Sequence, residues 1–127
     1  MLSGELKGYR ELIVWKRAME LVVEVYDLAN RLPKEERYVL ADQIRRSAIS
    51  IPSNIAEGNG RSGDKEYIRF LSIARGSQYE LETQLLLCVQ LGYLTDTDVS
   101  GASVLCDEIG RMLNALITRL EKKHQQK

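Results

Sequence analysis
Arg61, Lys65 and Arg69 recur at intervals of four residues, a spacing that stacks three cations along one face of an α-helix. Such a row can follow a phosphate backbone, each cation displacing a counterion from the nucleic acid. Arg45, Arg46 and Arg75 lie in the same segment. From residue 45 to residue 75 six basic side chains face three acidic ones, Glu57, Asp64 and Glu66, for a local charge of +3. These six are the candidate nucleic-acid-binding residues. The competing reading is a solvated helix face on which Asp64 and Glu66 pair with cations three or four positions away. The whole chain carries 18 basic and 18 acidic residues, so attraction to a polyanion has to be local.

Other chemistries find less support. Gly58-Asn59-Gly60-Arg61-Ser62-Gly63 matches the G-x-G-x-x-G pattern of dinucleotide-binding folds, but that fingerprint needs a strand before it, and here a helical pattern precedes it. A flexible turn between helices is the simpler reading; in a weaker form, free N–H groups there, beside Arg61 and Lys65, could hold one phosphate. The single histidine, His124, lies in the polar carboxy-terminal stretch, so the Glu-x-x-His pairs of bundle metal sites are not available. No serine has a histidine base nearby in the sequence pattern, and Glu57, Glu80 and Glu82 suit solvated or hydrogen-bonding roles. The expectation is a chain with no catalytic residues, no metal and no cofactor. Cys88 and Cys106 fall on apolar helix faces and read as buried free thiols, a disulfide being the alternative.

The elements that must position these residues are four helices. Two adjacent seams run along the first, Leu12, Trp15, Met19, Val22, Tyr26, Ala29 and Val14, Ala18, Leu21, Val25, Leu28, Leu32. Two seams are more than one intramolecular partner covers, which points to self-association. Pro33 ends this helix and suits the first turn of the next, with Glu35 and Glu36 at its positive dipole end. Leu40, Ile44, Ser47 or Ala48, Ile51 and Ile55 form the second stripe. Pro52 interrupts it, removing the bond to the Ala48 carbonyl at a cost of about 3 kcal/mol, so a kink near Ser50 is expected, with Ser47 and Ser50 satisfying the freed carbonyls.

Gly58-Asn59-Gly60 closes helix two, and Ser62, Gly63 or Asp64 caps helix three. Tyr67, Leu71, Ala74, Gln78, Leu81, Leu85 and Cys88 alternate steps of four and three, with Gln78 the one polar knob. Gly92 stops that helix, and Thr95 with Asp98 forms a capping box for the last, whose seam is Ala102, Cys106, Ile109, Leu113, Leu116 and Leu120. The pattern predicts one all-α domain over 1–127, an up-down-up-down antiparallel four-helix bundle with helices at about 11–32, 34–57, 63–91 and 96–122. Residues 122–127 read as a frayed polar tail. The longest apolar run, Leu85 to Val89, is far short of the roughly 20 residues that span a bilayer, and the charged amino-terminal stretch does not read as a signal peptide. A cytoplasmic protein without membrane partners is expected.

The run from Gln43 to Gly58, QIRRSAISIPSNIAEG, followed by Gly60-Arg61, resembles the signature of the four-helix-bundle family of 23S ribosomal RNA intervening-sequence proteins. Its motif positions here are Gln43, Arg46, Ser50, Pro52, Asn54, Glu57 and Gly58. Val14-Trp15 with Ala18 and Tyr26 resembles the family's first helix, and Phe70 to Ser77 with Glu80-Leu81-Glu82 its third. The resemblance extends from about Leu12 to Leu120. It implies a bacterial cytoplasmic protein whose relatives assemble as ring-shaped homopentamers, some encoded within sequences that interrupt ribosomal RNA genes, with a related group acting as nucleic-acid-binding accessories to reverse transcriptases. The combined expectation is a non-enzymatic homo-oligomer, as a pentamer, that associates with RNA or a nucleoprotein; the alternative is a protein-interaction scaffold that touches no nucleic acid.

Overall fold
In a computed structural model, which describes residues 8–125, the chain forms four helices: α1 Ile13–Asn30, α2 Leu40–Asn59, α3 Asp64–Gln90 and α4 Asp96–Gln125. Each packs against its sequence neighbour, and α4 closes the square against α1. Cross-helix contacts set the directions. Ser50 meets Ser77 and Ser47 meets Gln84 between α2 and α3, while Arg17 meets Glu108 and Arg31 meets Asp98 between α1 and α4. In both pairs, early residues of one helix meet late residues of the other, as antiparallel neighbours must. Together with the short connections this is the up-down-up-down bundle.

The core is what the four-three spacing selects. Val14, Ala18, Leu21, Val25 and Leu28 of α1, Ile44, Ala48, Ile51 and Ile55 of α2, Leu71, Ala74, Leu81, Leu85 and Cys88 of α3, and Ala102, Cys106, Ile109 and Leu113 of α4 are all buried. Gln78, 2% exposed, is the polar knob of α3. Its amide donates to Glu82 and its Oε1 lies over Gly110, where an added Cβ would come within 2.8 Å. At the end of α4 the seam turns: Ile117 is buried, while Leu116 and Leu120 are only packed along the core's edge. Both cysteines are buried and unpaired. Burial away from water pushes the Cys106 thiol up to about 12.

Several boundaries differ from the sequence expectation. Helix two does not open at Lys34. Pro33 instead leads a single 3-10 turn, Lys34–Glu36, and the chain breaks at Val39 before α2 begins at Leu40. The reason lies in Glu36, whose carboxylate accepts the Tyr93 hydroxyl at 2.8 Å and the Leu40 N–H at 3.4 Å. It thereby ties the turn to the α3–α4 connection and caps the later helix start. A second 3-10 turn, Gly8–Glu11, precedes α1. Tyr9 from that turn packs edge-on to Trp15, with centroids 5.2 Å apart.

Helix two closes within the Gly58-Asn59-Gly60 run, as expected, ending at Asn59 with Gly60 as its C-cap; Gly58 itself is buried inside the helix, where an added Cβ would meet the Phe70 Cβ at 2.7 Å. Gly58 is the notch that lets α2 and α3 approach. Helix four continues past residue 122 to Gln125 instead of fraying; Gln126 and Lys127, like the charged stretch before Gly8, lie outside the described residues. The capping box forms as expected, with Asp98 N–H donating to Thr95 Oγ1 at 3.0 Å and Thr95 N–H to Asp98 Oδ2 at 2.9 Å. Among the described residues no helix is long and apolar enough to cross a membrane.

Candidate nucleic-acid interface
The α2–α3 turn is where three of the six candidate cations gather, by a route different from the predicted one. Since α3 begins at Asp64, Arg61 stands in the turn before it and cannot stack on Lys65 and Arg69 as successive turns of one helix. The aromatic ring of Phe70 supplies the missing geometry. Arg61 lies over it at 5.2 Å from the centroid and Arg69 at 4.6 Å, so one ring holds both guanidiniums by its quadrupole. Gly63, with φ of +88°, reverses the chain between them, a conformation that favours glycine. Lys65 is exposed beside this pair.

Both arginines are partnered. Arg61 donates to Glu57 at 2.7 Å and Arg69 to Glu66 at 2.9 Å. The Arg69 hydrogen bond holds the Glu66 carboxyl below its ordinary range, and the same bond raises the Arg69 guanidinium above its own. Asp64 meets Lys123 of α4 at 3.4 Å. The solvated-face reading and the phosphate-tracking reading therefore meet in one place. Ion pairs this exposed contribute little, because water screens them, so a phosphate can exchange for either carboxylate at small cost.

The other three candidates are elsewhere. Arg45 sits at the opposite end of the bundle, its guanidinium 5.7 Å from the Tyr26 ring centroid. Arg46 is exposed and pairs with Asp42 at 3.1 Å. Arg75, half-buried, spans to α4 and donates to Asn114 at 2.6 Å. The +3 segment thus folds into one cluster and three separate residues, because alternate stretches of α2 and α3 point to different faces of the bundle. The G-x-G-x-x-G run joins two helices, as the turn reading requires, and among the described residues no strand precedes it. Among those residues no group of three or more His, Cys, Asp or Glu side chains is placed to hold a metal.

A family model described as 23S rRNA-intervening sequence protein matches residues 10–115. The chain belongs to the 23S rRNA-intervening sequence protein family. A solved structure from Bacteroides thetaiotaomicron, described as a protein with unknown function from the S23 ribosomal protein family, is 28% identical. It covers 83% of this chain and 98% of its own, with a TM-score of 0.77. Among curated proteins nothing matches.

In this member of the intervening-sequence family the motif of helix two is mostly a device for packing α2 on α3. Ser50 Oγ and Ser77 Oγ share a hydrogen bond of 2.7 Å, and Asn54 Nδ2 donates to both Ser50 O at 2.8 Å and Ser50 Oγ at 2.9 Å. Ser47 Oγ donates across the same seam to Gln84 at 2.9 Å. The two hydroxyls expected to serve the carbonyls freed by Pro52 thus go to α3 instead, and Asn54 reaches the Ser50 carbonyl, not that of Ala48. Pro52 and Gly58 are buried, whereas Gln43, Arg46 and Glu57 face outward. The cations that sequence reasoning passed over are Lys34 and Arg37, which share a cleft with Arg45, and Lys123, which reaches Asp64. A charge count confined to one sequence segment could not join them to residues brought near by folding.

Proposed function
We propose that this chain is a non-enzymatic, cytoplasmic protein that assembles with copies of itself, as a ring of five, and associates with RNA through the Arg61, Lys65 and Arg69 cluster. The observation that carries the self-assembly is an apolar groove of about 370 Å³ between α1 and α2, bounded by Tyr9, Trp15, Met19, Val22, Ile49 and Pro52. Met19 and Ile49 stand 44% and 41% exposed on it. The Trp15, Met19, Val22 and Tyr26 seam of α1 is therefore only partly covered by the protomer, while the Val14 to Leu32 seam is buried. This leaves apolar surface for another subunit to bury at roughly 25 cal/mol per Å². RNA association is supported by the two ring-held guanidiniums and by a family described through 23S rRNA. A ring multiplies a weak cationic cluster by the number of its subunits.

The scaffold reading is favoured by one observation, the pairing of Arg61 and Arg69 with Glu57 and Glu66. Salt dependence decides between the two. Changing Arg61, Lys65 and Arg69 together to Gln is expected to weaken binding of unrelated single-stranded RNAs about equally, since phosphate contacts carry little sequence information. Each lost contact reduces the slope of log affinity against log salt by roughly 0.7. Assembly, read by light scattering, is expected to survive. Absence of wild-type RNA binding at low salt, or an unchanged slope in the triple variant, establishes the scaffold reading.

A further inference from the structure
At the other end of the bundle, where α1 stops and the chain turns toward α2, lies a small cleft of about 240 Å³. Ala29, Leu32 and Pro33 form its wall, and Lys34, Arg37 and Arg45 supply its charge. We propose that this cleft binds a phosphate-bearing anion. It goes beyond the RNA reading and does not rest on it, since it shares no residue with the Arg61, Lys65 and Arg69 cluster.

Three observations carry the proposal. Among the described residues Arg17, Arg31, Arg46, Arg61, Arg69, Arg111 and Lys123 each pair with a carboxylate, whereas Lys34, Arg37 and Arg45 pair with none, and neither do Arg10, Lys16, Lys65, Arg75, Arg119 and Lys122; what sets the three apart is that they share one cleft. The carboxylates nearby are committed: Glu36 to Tyr93 and the Leu40 N–H, Asp27 and Asp98 to Arg31, and Asp42 to Arg46. Glu35 is not part of the lining. The cations also exceed what the fold itself needs. The carboxy-terminal end of α1 presents about half a negative charge, while three positive charges surround it.

Geometry and size narrow the ligand. The Arg45 guanidinium lies over Tyr26 at 5.7 Å from the ring centroid and that of Arg37 over Tyr38 at 6.0 Å, contacts that use no N–H donor and so leave the donors of both to an anion. Two planar forks and an ammonium match the oxygens of a phosphate group, which accepts bidentate hydrogen bonds. The cleft is smaller than the roughly 300–1,000 Å³ of pockets that enclose drug-sized molecules, so it takes one phosphate group and not a whole nucleotide.

Calorimetric titration of the full chain with inorganic phosphate, in a chloride buffer of constant ionic strength, tests the site. Saturable binding is expected, weakened on the order of ten-fold for each guanidinium removed in Arg37→Gln and Arg45→Gln. Arg37→Gln is the safer variant, because Arg37 is exposed and its removal leaves the packing of Arg45 on Tyr26 intact; unchanged thermal melting of Arg37→Gln certifies its fold. The Arg61, Lys65 and Arg69 to Gln variant is expected to bind phosphate as the wild type does. A 5′-phosphorylated oligoribonucleotide that outcompetes its 5′-hydroxyl counterpart assigns the group to a nucleic-acid end, and failure of both to displace inorganic phosphate assigns it to a free phosphate; both support the site. Phosphate binding that is absent, non-saturable, or unaltered in Arg37→Gln overturns it.

Discussion

Two glycines of the bundle have opposite meanings. At Gly58 an added methyl would meet the Phe70 Cβ at 2.7 Å and the Tyr67 carbonyl at 3.3 Å, both on the facing helix. Gly58→Ala must push α2 from α3 and is expected to cost about 1–3 kcal/mol, the range of overpacked cores. At Gly76 nothing lies within 4 Å of the added atom, and the position is an exposed turn of α3. Gly76→Ala is expected to stabilise by about 0.5–1 kcal/mol, because the unfolded chain loses freedom and the native helix loses nothing. Paired urea melts measure both signs. Asp98 makes a pH prediction. Its carboxyl is held below the ordinary range by the Thr95 N–H, then by the Thr95 hydroxyl and Arg31. A depressed folded pKa means that its contribution is present above the ordinary carboxylate range and is lost as pH falls through the folded value. Thr95→Ala, which removes half of the capping box, is therefore expected to lower stability at neutral pH and to flatten this acid-side dependence in thermal melts.

Among the elements, α2 bears the most unusual feature, a proline buried in its interior. Pro52 cannot donate to the Ala48 carbonyl, yet α2 runs as one helix from Leu40 to Asn59. The surrounding polar groups and the close seam with α3 over-determine its course. The ring of Pro52 meanwhile forms part of the apolar groove with Trp15 and Met19. Pro52→Ala restores a backbone bond but removes the ring from the groove. The expected outcome is unchanged helix content by far-ultraviolet circular dichroism together with weaker assembly by light scattering. Assembly as strong as in the wild type assigns Pro52 a role confined to the protomer.

For the whole molecule the central quantity is its assembly size. A protomer of 14.5 kDa that covers its groove with other subunits scatters as a several-fold heavier particle at micromolar concentration. Met19→Glu places a charge in the groove and is expected to shift the particle toward the protomer mass. Val23→Glu tests the same helix on its solvent face, where Val23 is 73% exposed, and is expected to leave the mass unchanged. Equal effects of both substitutions locate the contact elsewhere on α1, and a wild type that scatters as a monomer removes the assembly from the function.

The four helices, their core seams and the capping box at Thr95 and Asp98 were legible in the sequence because each depends on neighbours within about one or two turns, where the period of 3.6 residues governs what meets what. Gln78 was legible as a polar knob for the same reason. The family motif was legible as a string, but its purpose was not: Ser50 and Gly58 act against Ser77 and Phe70, partners up to 27 residues away, while Asn54 holds Ser50 from within α2. The start of α2 was misplaced because Glu36 is held by Tyr93, far along the chain. The cationic stripe was half legible. Spacing brought Lys65 and Arg69 together on one helix, but Arg61 joins them only through the Phe70 ring, and Arg45 joins Lys34 and Arg37 only where the end of α1 folds against α2. Local periodicity determines which residues share a helix face; which faces and charges become neighbours is decided by packing, because it depends on where separate helices lie and not on the order of residues within one.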